Sequence, residues 1–94
     1  MIARYRLSAL MENSSALLLR FFACLVRHRI EILGIACTNP AGSPVYEMEL
    51  SVRADADHVR RAVKQIGAFV GVVEIDYRME EDDAPQVPSS RGGS

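Results

Sequence analysis

Four segments of the chain carry the pattern of β-strands. Residues 3–10, 46–53 and 70–79 alternate apolar and polar side chains, which predicts strands with one buried and one exposed face. Residues 31–38, EILGIACT, are rich in apolar and β-branched side chains and lead into the turn-forming sequence NPAGSP, which also predicts a strand.

Two further segments carry the pattern of α-helices. One helix is predicted over residues 15–28 and a second over residues 55–67, where Gly67 suits the helix end. The residues that can cap the first helix are Asn13, Ser14 and Ser15. Those that can cap the second are Asp55 and Asp57. The second helix has one narrow apolar stripe, formed by Val59, Ala62, Val63 and Ile66.

The predicted order β-α-β-β-α-β is that of α+β, ferredoxin-like domains, in which two helices pack on one face of a four-stranded antiparallel sheet. If the first, third and fourth strands are neighbours, the face without helices brings arginines of the first strand near carboxylates of the other two. We interpret this either as register-setting ion pairs or as a solvated polar face. The residues concerned are Arg4, Arg6, Glu47, Glu49, Glu74 and Asp76.

The first helix carries more apolar surface than one buried face needs. A thick core, a protein interface and a ligand groove could each account for the surplus. We favour an interface, because the second strand lies at a sheet edge in this fold and an unpaired apolar edge attracts another chain. The prediction is a homodimer through the edge strand and the first helix, with interface residues Leu17, Leu19, Phe22, Val26 and Ile35.

The composition is typical of one globular domain: 94 residues, 49% hydrophobic and 24% charged. The net charge of -1 gives no basic footprint for nucleic acid or an anionic membrane. No apolar run reaches the roughly 20 residues of a membrane span, and MIARYRL lacks the features of a signal peptide, so a cytoplasmic protein is predicted. The domain is predicted over residues 1–79, and residues 80–94 are predicted to be a disordered tail rich in acidic residues, Pro, Ser and Gly.

No sequence motif for catalysis or for metal binding is found, so we predict no catalytic residues and no bound metal. Cys24 and Cys37 lie in apolar runs without ligand-like spacing and are predicted to be buried, reduced thiols. His28 and His58 are predicted to be surface residues. The polar residues 13–15, beside a helix N-terminus, could hold a carboxylate, although capping alone also explains them.

Two stretches, MENSSALLLRFFACLVRHRIEIL and VKQIGAFVGVVEI, resemble an ACT domain, and specifically the regulatory small subunit of acetolactate synthase (acetohydroxyacid synthase). That family typically carries Asn-x-Ser-Gly-Ala-Leu-x-Arg, then Gly-Tyr-Asn-Ile-Glu-Ser-Leu, a Met in the third strand, and Lys-Gln-Leu-x-Lys-Leu-x-Asp-Val. The resemblance spans about residues 4–78 and is to the single-ACT-domain type. The matching positions are Asn13, Ser15, Leu18, Arg20, Ile32, Met48, Lys64, Gln65, Val70 and Val72.

The resemblance implies a regulatory subunit of an enzyme complex with no catalytic residues of its own. It implies a large catalytic partner that uses thiamine diphosphate, Mg²⁺ and FAD in branched-chain amino acid biosynthesis. The family's effector, usually valine, binds at the seam between two ACT domains, near the first helix and the start of the second strand. The positions that this implies for a branched-chain amino acid are Asn13, Ser14, Ser15, Ala16, Glu31 and Ile32.

Three departures from the family pattern argue against valine feedback. Ala16 replaces a glycine and crowds the approach of a ligand to the backbone. Glu31 replaces an asparagine and would repel a carboxylate, and Arg29 replaces a turn glycine. One alternative is a free-standing ACT-domain amino-acid sensor that acts on another partner. An acylphosphatase-like enzyme would need an arginine in the loop after the first strand, where MENSS has none.

Overall fold

The computed structural model describes residues 1–80. It confirms the predicted order of strands and helices; the predicted tail over residues 81–94 lies outside the described residues. The elements are β1 Ile2–Glu12, α1 Ser15–Arg27, β2 Glu31–Thr38, β3 Val45–Asp55, α2 Ala56–Gly67 and β4 Val72–Met79.

The four strands form one antiparallel sheet in the order β2-β3-β1-β4, so β2 and β4 are its edges. Alternate strand residues point to one side of the sheet and pack with the buried faces of both helices. This confirms the predicted ferredoxin-like arrangement. We call the other side, which no described helix covers, the open face.

The core lies between the sheet and the helices. The helical residues buried in it follow the i, i+3, i+4 spacing of a single face. They are Leu17, Phe21, Cys24 and Leu25 of α1 and Val59, Ala62 and Ile66 of α2. Burying a side chain such as that of Phe21 contributes about 1.5–3 kcal/mol, so this layer supplies much of the driving force for folding.

Each helix begins at a polar cap. Of the three residues that could cap α1, Ser14 does so, since its hydroxyl oxygen accepts a hydrogen bond from the Leu17 N–H at 3.2 Å. Asp55 caps α2 by accepting from the Asp57 N–H at 3.0 Å. Such caps contribute about 1 kcal/mol each.

The end of α1 is a tight turn with an unusual residue in it. The Arg29 N–H donates to the Val26 carbonyl at 2.9 Å and the Ile30 N–H donates to the Leu25 carbonyl at 3.0 Å. This pair of bonds is the Schellman motif, whose left-handed position usually holds glycine. Here Arg29 occupies it with φ 59°.

Glu80, which the sequence assigned to the tail, is held against the sheet. Its N–H donates to the Arg4 carbonyl at 2.9 Å, and its carboxylate accepts from Arg6 Nη2 at 2.9 Å. The pKa of Arg6 is raised, first by this hydrogen bond and then by the charge of Glu80. The boundary predicted at residue 79 is therefore corrected to include Glu80.

Candidate functional site

The N-terminus of α1 is the first half of the candidate site. Ser14 takes the N–H of Leu17, and the first turn has no acidic residue. The first N–H groups of any helix lack intrahelical partners, so those of Ser15 and Ala16 remain for another acceptor. Both residues are exposed, which leaves this end of the helix open to a ligand.

Two backbone hydrogen bonds fix the loop that leads into α1. The Glu12 N–H donates to the Gly71 carbonyl at 2.9 Å, and the Asn13 N–H donates to the Pro44 carbonyl at 3.0 Å. These bonds fix the backbone of the loop and leave the exposed side chain of Asn13 at the entrance to the helix.

The predicted effector residues do not meet within one chain. Glu31 and Ile32 follow the C-terminus of α1, and a helix of 13 residues separates them from Asn13 by about 20 Å at 1.5 Å per residue. Any site that uses all the predicted positions must therefore take its two halves from two chains.

Glu31 also points away from the helices. It lies opposite Arg53 on the open face, and its carboxylate accepts from Arg53 Nε at 3.1 Å and Nη2 at 2.9 Å. Ile32 lies opposite the buried Val52 and so points to the helical side. Of these two predicted residues, only Ile32 faces the side on which α1 lies.

Two large apolar residues of α1, both predicted at an interface, are exposed: Leu19 at 72% and Val26 at 68%. The predicted Phe22 is half-buried, as is its neighbour Leu18, which the interface prediction omitted. The prediction was wrong for Leu17, which is only 4% exposed and belongs to the core.

The half-buried flank of α1, which carries Leu18 and Phe22, faces the β2 edge. Arg20, on the opposite flank, stacks on the Phe69 ring at 4.7 Å, and His28 Nε2 bonds to Gln65 Oε1 of α2 at 2.9 Å. These contacts place α2 beside that opposite flank. The side of α1 that carries Leu18 and Phe22 therefore turns away from α2, toward β2.

The β2 edge adds two side chains to this surface. A register shift between Ile32 and Gly34 brings Ile35 opposite the buried Leu50 and Cys37 opposite the buried Met48, on the helical side of the sheet. Ile35 is 53% exposed, and Cys37, which was predicted to be buried, is exposed. We call the combined surface the seam patch; its members are Leu18, Leu19, Phe22, Val26, Ile35 and Cys37.

The described residues offer little for other chemistry. Burial raises the pKa of the Cys24 thiol, which keeps it protonated and unreactive. Among residues 1–80, no group of three or more His, Cys, Asp or Glu side chains could hold a metal ion. In the same range, no helix is long and apolar enough to cross a membrane.

Comparisons with known proteins identify the fold. No protein-family model matches the sequence, and no curated protein is significantly similar to it. The ACT domain of GTP pyrophosphokinase from Chlorobium tepidum superposes with a TM-score of 0.70 at 9% identity, over 83% of this chain and 100% of that one. The chain has the ACT fold.

Two further solved structures share this architecture. The acetolactate synthase small subunit from Thermotoga maritima has a TM-score of 0.67 at 18% identity, over 79% of this chain and 46% of that one. The regulatory subunit of aspartate kinase from Thermus thermophilus, in its ligand-free form, has a TM-score of 0.67 at 18% identity, over 83% and 53%. This ACT domain thus spans about half the length of each of these two proteins.

Proposed function

We propose that this chain is a regulatory ACT-domain subunit that acts by binding an enzyme, and that the enzyme is the catalytic large subunit of acetolactate synthase in branched-chain amino acid biosynthesis. The observation that carries the proposal is the seam patch, an apolar surface beside an unpaired strand edge. Thiamine diphosphate, Mg²⁺ and FAD belong to the partner in this proposal. We assign no catalytic residue to this chain and expect a cytoplasmic complex.

Two copies would join by antiparallel pairing of their β2 strands, which removes both unpaired edges and buries both seam patches. Because β2 runs back along α1, the start of β2 in one copy then lies beside the N-terminus of α1 in the other. This arrangement brings Asn13 and Ala16 of one copy toward Ile32 of the other, so that each dimer has two composite sites.

The composite site suits an amino acid with a branched side chain. Free N–H groups and the positive end of the α1 dipole favour a carboxylate, and the Asn13 amide can add a hydrogen bond. Apolar side chains of the seam, including Ile32, suit the aliphatic group. The methyl group of Ala16 would crowd the approach of a ligand to the backbone, so we expect valine to bind weakly or not at all.

Acetolactate formation by the host's large subunit tests the proposal directly. It is measured for the large subunit alone, with this chain, and with this chain plus valine. We expect stimulation that valine does not reverse, and we expect Ala16→Gly to introduce or strengthen valine inhibition while leaving the stimulation intact. Absence of any stimulation would contradict the subunit role.

A free-standing amino-acid sensor is the alternative, favoured by the open N-terminus of α1. It predicts that one of the common amino acids stabilises the chain against heat, since a ligand at about 100 times its Kd adds about 2.7 kcal/mol. A panel of amino acids in a thermal-shift assay separates the two functions. Stabilisation without any effect on acetolactate formation would favour the sensor.

A further inference from the structure

The open face carries its charges in ordered rows. Residues that lie opposite one another on β3, β1 and β4 form these rows across the sheet, and successive rows are about 7 Å apart, two residues along each strand. In order, the rows are Glu47, Leu10 and Glu74; Glu49, Ser8 and Asp76; Ser51, Arg6 and Arg78; Arg53 and Arg4.

The rows divide the face into an acidic half and a basic half. The first two rows contain carboxylates and no cation, and the last two contain arginines and no carboxylate. Glu31 forms an ion pair with Arg53, and Glu80 forms one with Arg6, both in the basic half. Arg6 Nη1 also lies 3.3 Å from Glu49 Oε1 of the acidic half. Among residues 1–80, five charged side chains of the face have no ion pair: Arg4, Arg78, Glu47, Glu74 and Asp76.

The acidic half is concave. A hollow of about 240 Å³ lies over Ser8, whose short side chain leaves room between the longer ones around it. Glu49 and Asp76 lie on either side of Ser8 in its own row, and Glu47 and Glu74 lie on either side of Leu10 in the next row. The shape and charge of this hollow suit a guanidinium group.

We propose that the open face binds the open face of a second copy of this chain, across a twofold axis that lies between the second and third rows and runs across the strands. This rotation reverses the order of the rows and places each strand over its own counterpart. Asp76 then faces Arg78 of the second copy, Glu47 faces Arg53, and the hollow at Ser8 faces Arg6. The acidic half of each copy therefore meets the basic half of the other copy.

The sheet geometry permits this contact. Stacked sheets lie about 10 Å apart with their strands within about 30° of one another, which long charged side chains on both faces can span. The opposite stacking, with the strands running parallel, would place carboxylates on carboxylates and is excluded by repulsion. A uniformly basic partner would match only one half. The charge pattern therefore favours a second copy in one orientation.

The proposed seam and the open-face contact are compatible. The twofold axis of β2 pairing is perpendicular to the sheet and lies beside the middle of β2, level with Gly34 and Ile35, which lie opposite Ser51 and Leu50. This is the level at which the open-face axis crosses the strands. The two axes meet at a right angle, so both contacts together close an assembly of four chains. This closure rests on the seam described under the proposed function; the open-face contact does not.

Charge swaps test the contact by sedimentation velocity of the full chain. Asp76 and Arg78 are exposed on the edge strand β4 and have no ion pair among the described residues, so exchanging them leaves the fold intact. We expect Asp76→Arg or Arg78→Glu alone to weaken the open-face association at least about tenfold. The double variant, with the charges exchanged, should restore it. Arg61→Glu on the helical side makes the same charge change as Arg78→Glu and should have no effect.

Salt separates this contact from the seam. Raising the salt from about 0.1 M to about 1 M shortens the Debye length from about 10 Å to about 3 Å, so the open-face contact should dissociate while an apolar seam persists. Arg78→Glu should leave a salt-resistant dimer, and Val26→Asp a salt-sensitive one. Single swaps that associate like the wild type, a double swap that fails to restore association, or salt-independent assembly in Val26→Asp would overturn the proposal. None of these results depends on acetolactate synthase.

Discussion

Gly71 lies directly against Leu17: a Cβ atom at Gly71 would stand 2.9 Å from Leu17 Cδ2. Gly71 also has φ +102°, a conformation that side chains rarely adopt. Since Leu17 is buried and has little room to move, we expect Gly71→Ala to lower the free energy of unfolding by about 1–3 kcal/mol. Urea denaturation measures the loss.

Gly34→Ala is the matched control for that change. A Cβ atom at Gly34 meets nothing within 4 Å, and its φ is not positive. We expect it to change the free energy of unfolding by less than about 0.5 kcal/mol. Equal effects of the two substitutions would contradict the packing described for Gly71.

Replacing Arg29 by glycine should stabilise the chain. Arg29 holds a left-handed conformation that costs a non-glycine residue about 1–2 kcal/mol, and the Schellman bonds of this turn need only the backbone. We expect Arg29→Gly to raise the free energy of unfolding by about 1 kcal/mol. Arg27→Gly, in the last turn of α1, should lower it instead. Loss of stability in Arg29→Gly would mean that its side chain makes a contact worth more than the strain.

The proposed seam predicts that two substitutions on α1 differ in their effect on association. Val26→Asp places a carboxylate in the seam patch and should abolish association through β2, because a buried unpaired charge is strongly unfavourable. Ala23→Asp introduces the same charge at an exposed position outside the patch and should leave association through β2 unchanged. Sedimentation at about 1 M salt, where charge contacts are screened, isolates the seam. Equal association of both variants would remove the seam from consideration.

Asp55 gives the stability a defined pH dependence. Its carboxylate accepts a hydrogen bond from the Met1 ammonium at 2.9 Å and another from the Asp57 N–H, which together hold the pKa of Asp55 below its ordinary value of 3.8. A carboxyl with a depressed folded pKa stabilises above its unfolded pKa and loses this contribution as the pH falls through the folded value. We expect the wild type to exceed Asp55→Asn in urea midpoint near neutral pH, and the gap to close below about pH 4.

Acetylating the Met1 amino group provides the control for Asp55, because it removes the ammonium and keeps the cap. It should reduce the same pH dependence. A gap between the wild type and Asp55→Asn that is constant from neutral to acid pH would contradict the linkage.

Residue patterns predicted the order of elements, the edge position of β2 and the caps, because alternation and helical spacing are local properties of the chain. They misplaced Leu17 for an equally physical reason. Apolar residues surround more than half of α1, so spacing alone cannot say which of them face the sheet. Packing against the strands decides, and it takes Leu17 into the core while leaving Leu18 on the flank.

The face of β2 on which Ile35 lies could not be predicted from the sequence. A strict period of two would place Ile32 and Ile35 on opposite faces of β2, and the register shift at Leu33 puts both on the helical side. Glu80 was misassigned because its tie to Arg4 and Arg6 joins residues more than seventy positions apart. The rows of the open face likewise needed the register, although their charges were visible in the sequence.

Two hydrogen bonds, from Glu12 to Gly71 and from Asn13 to Pro44, anchor the loop before α1. They affect both the rate and the enthalpy with which a small molecule would bind there. A loop whose backbone is already fixed loses little conformational entropy when a ligand arrives. Binding at the N-terminus of α1 would then need no slow rearrangement, so its association rate would be set by diffusional encounter. The binding enthalpy would reflect the contacts made with the ligand rather than the ordering of the chain.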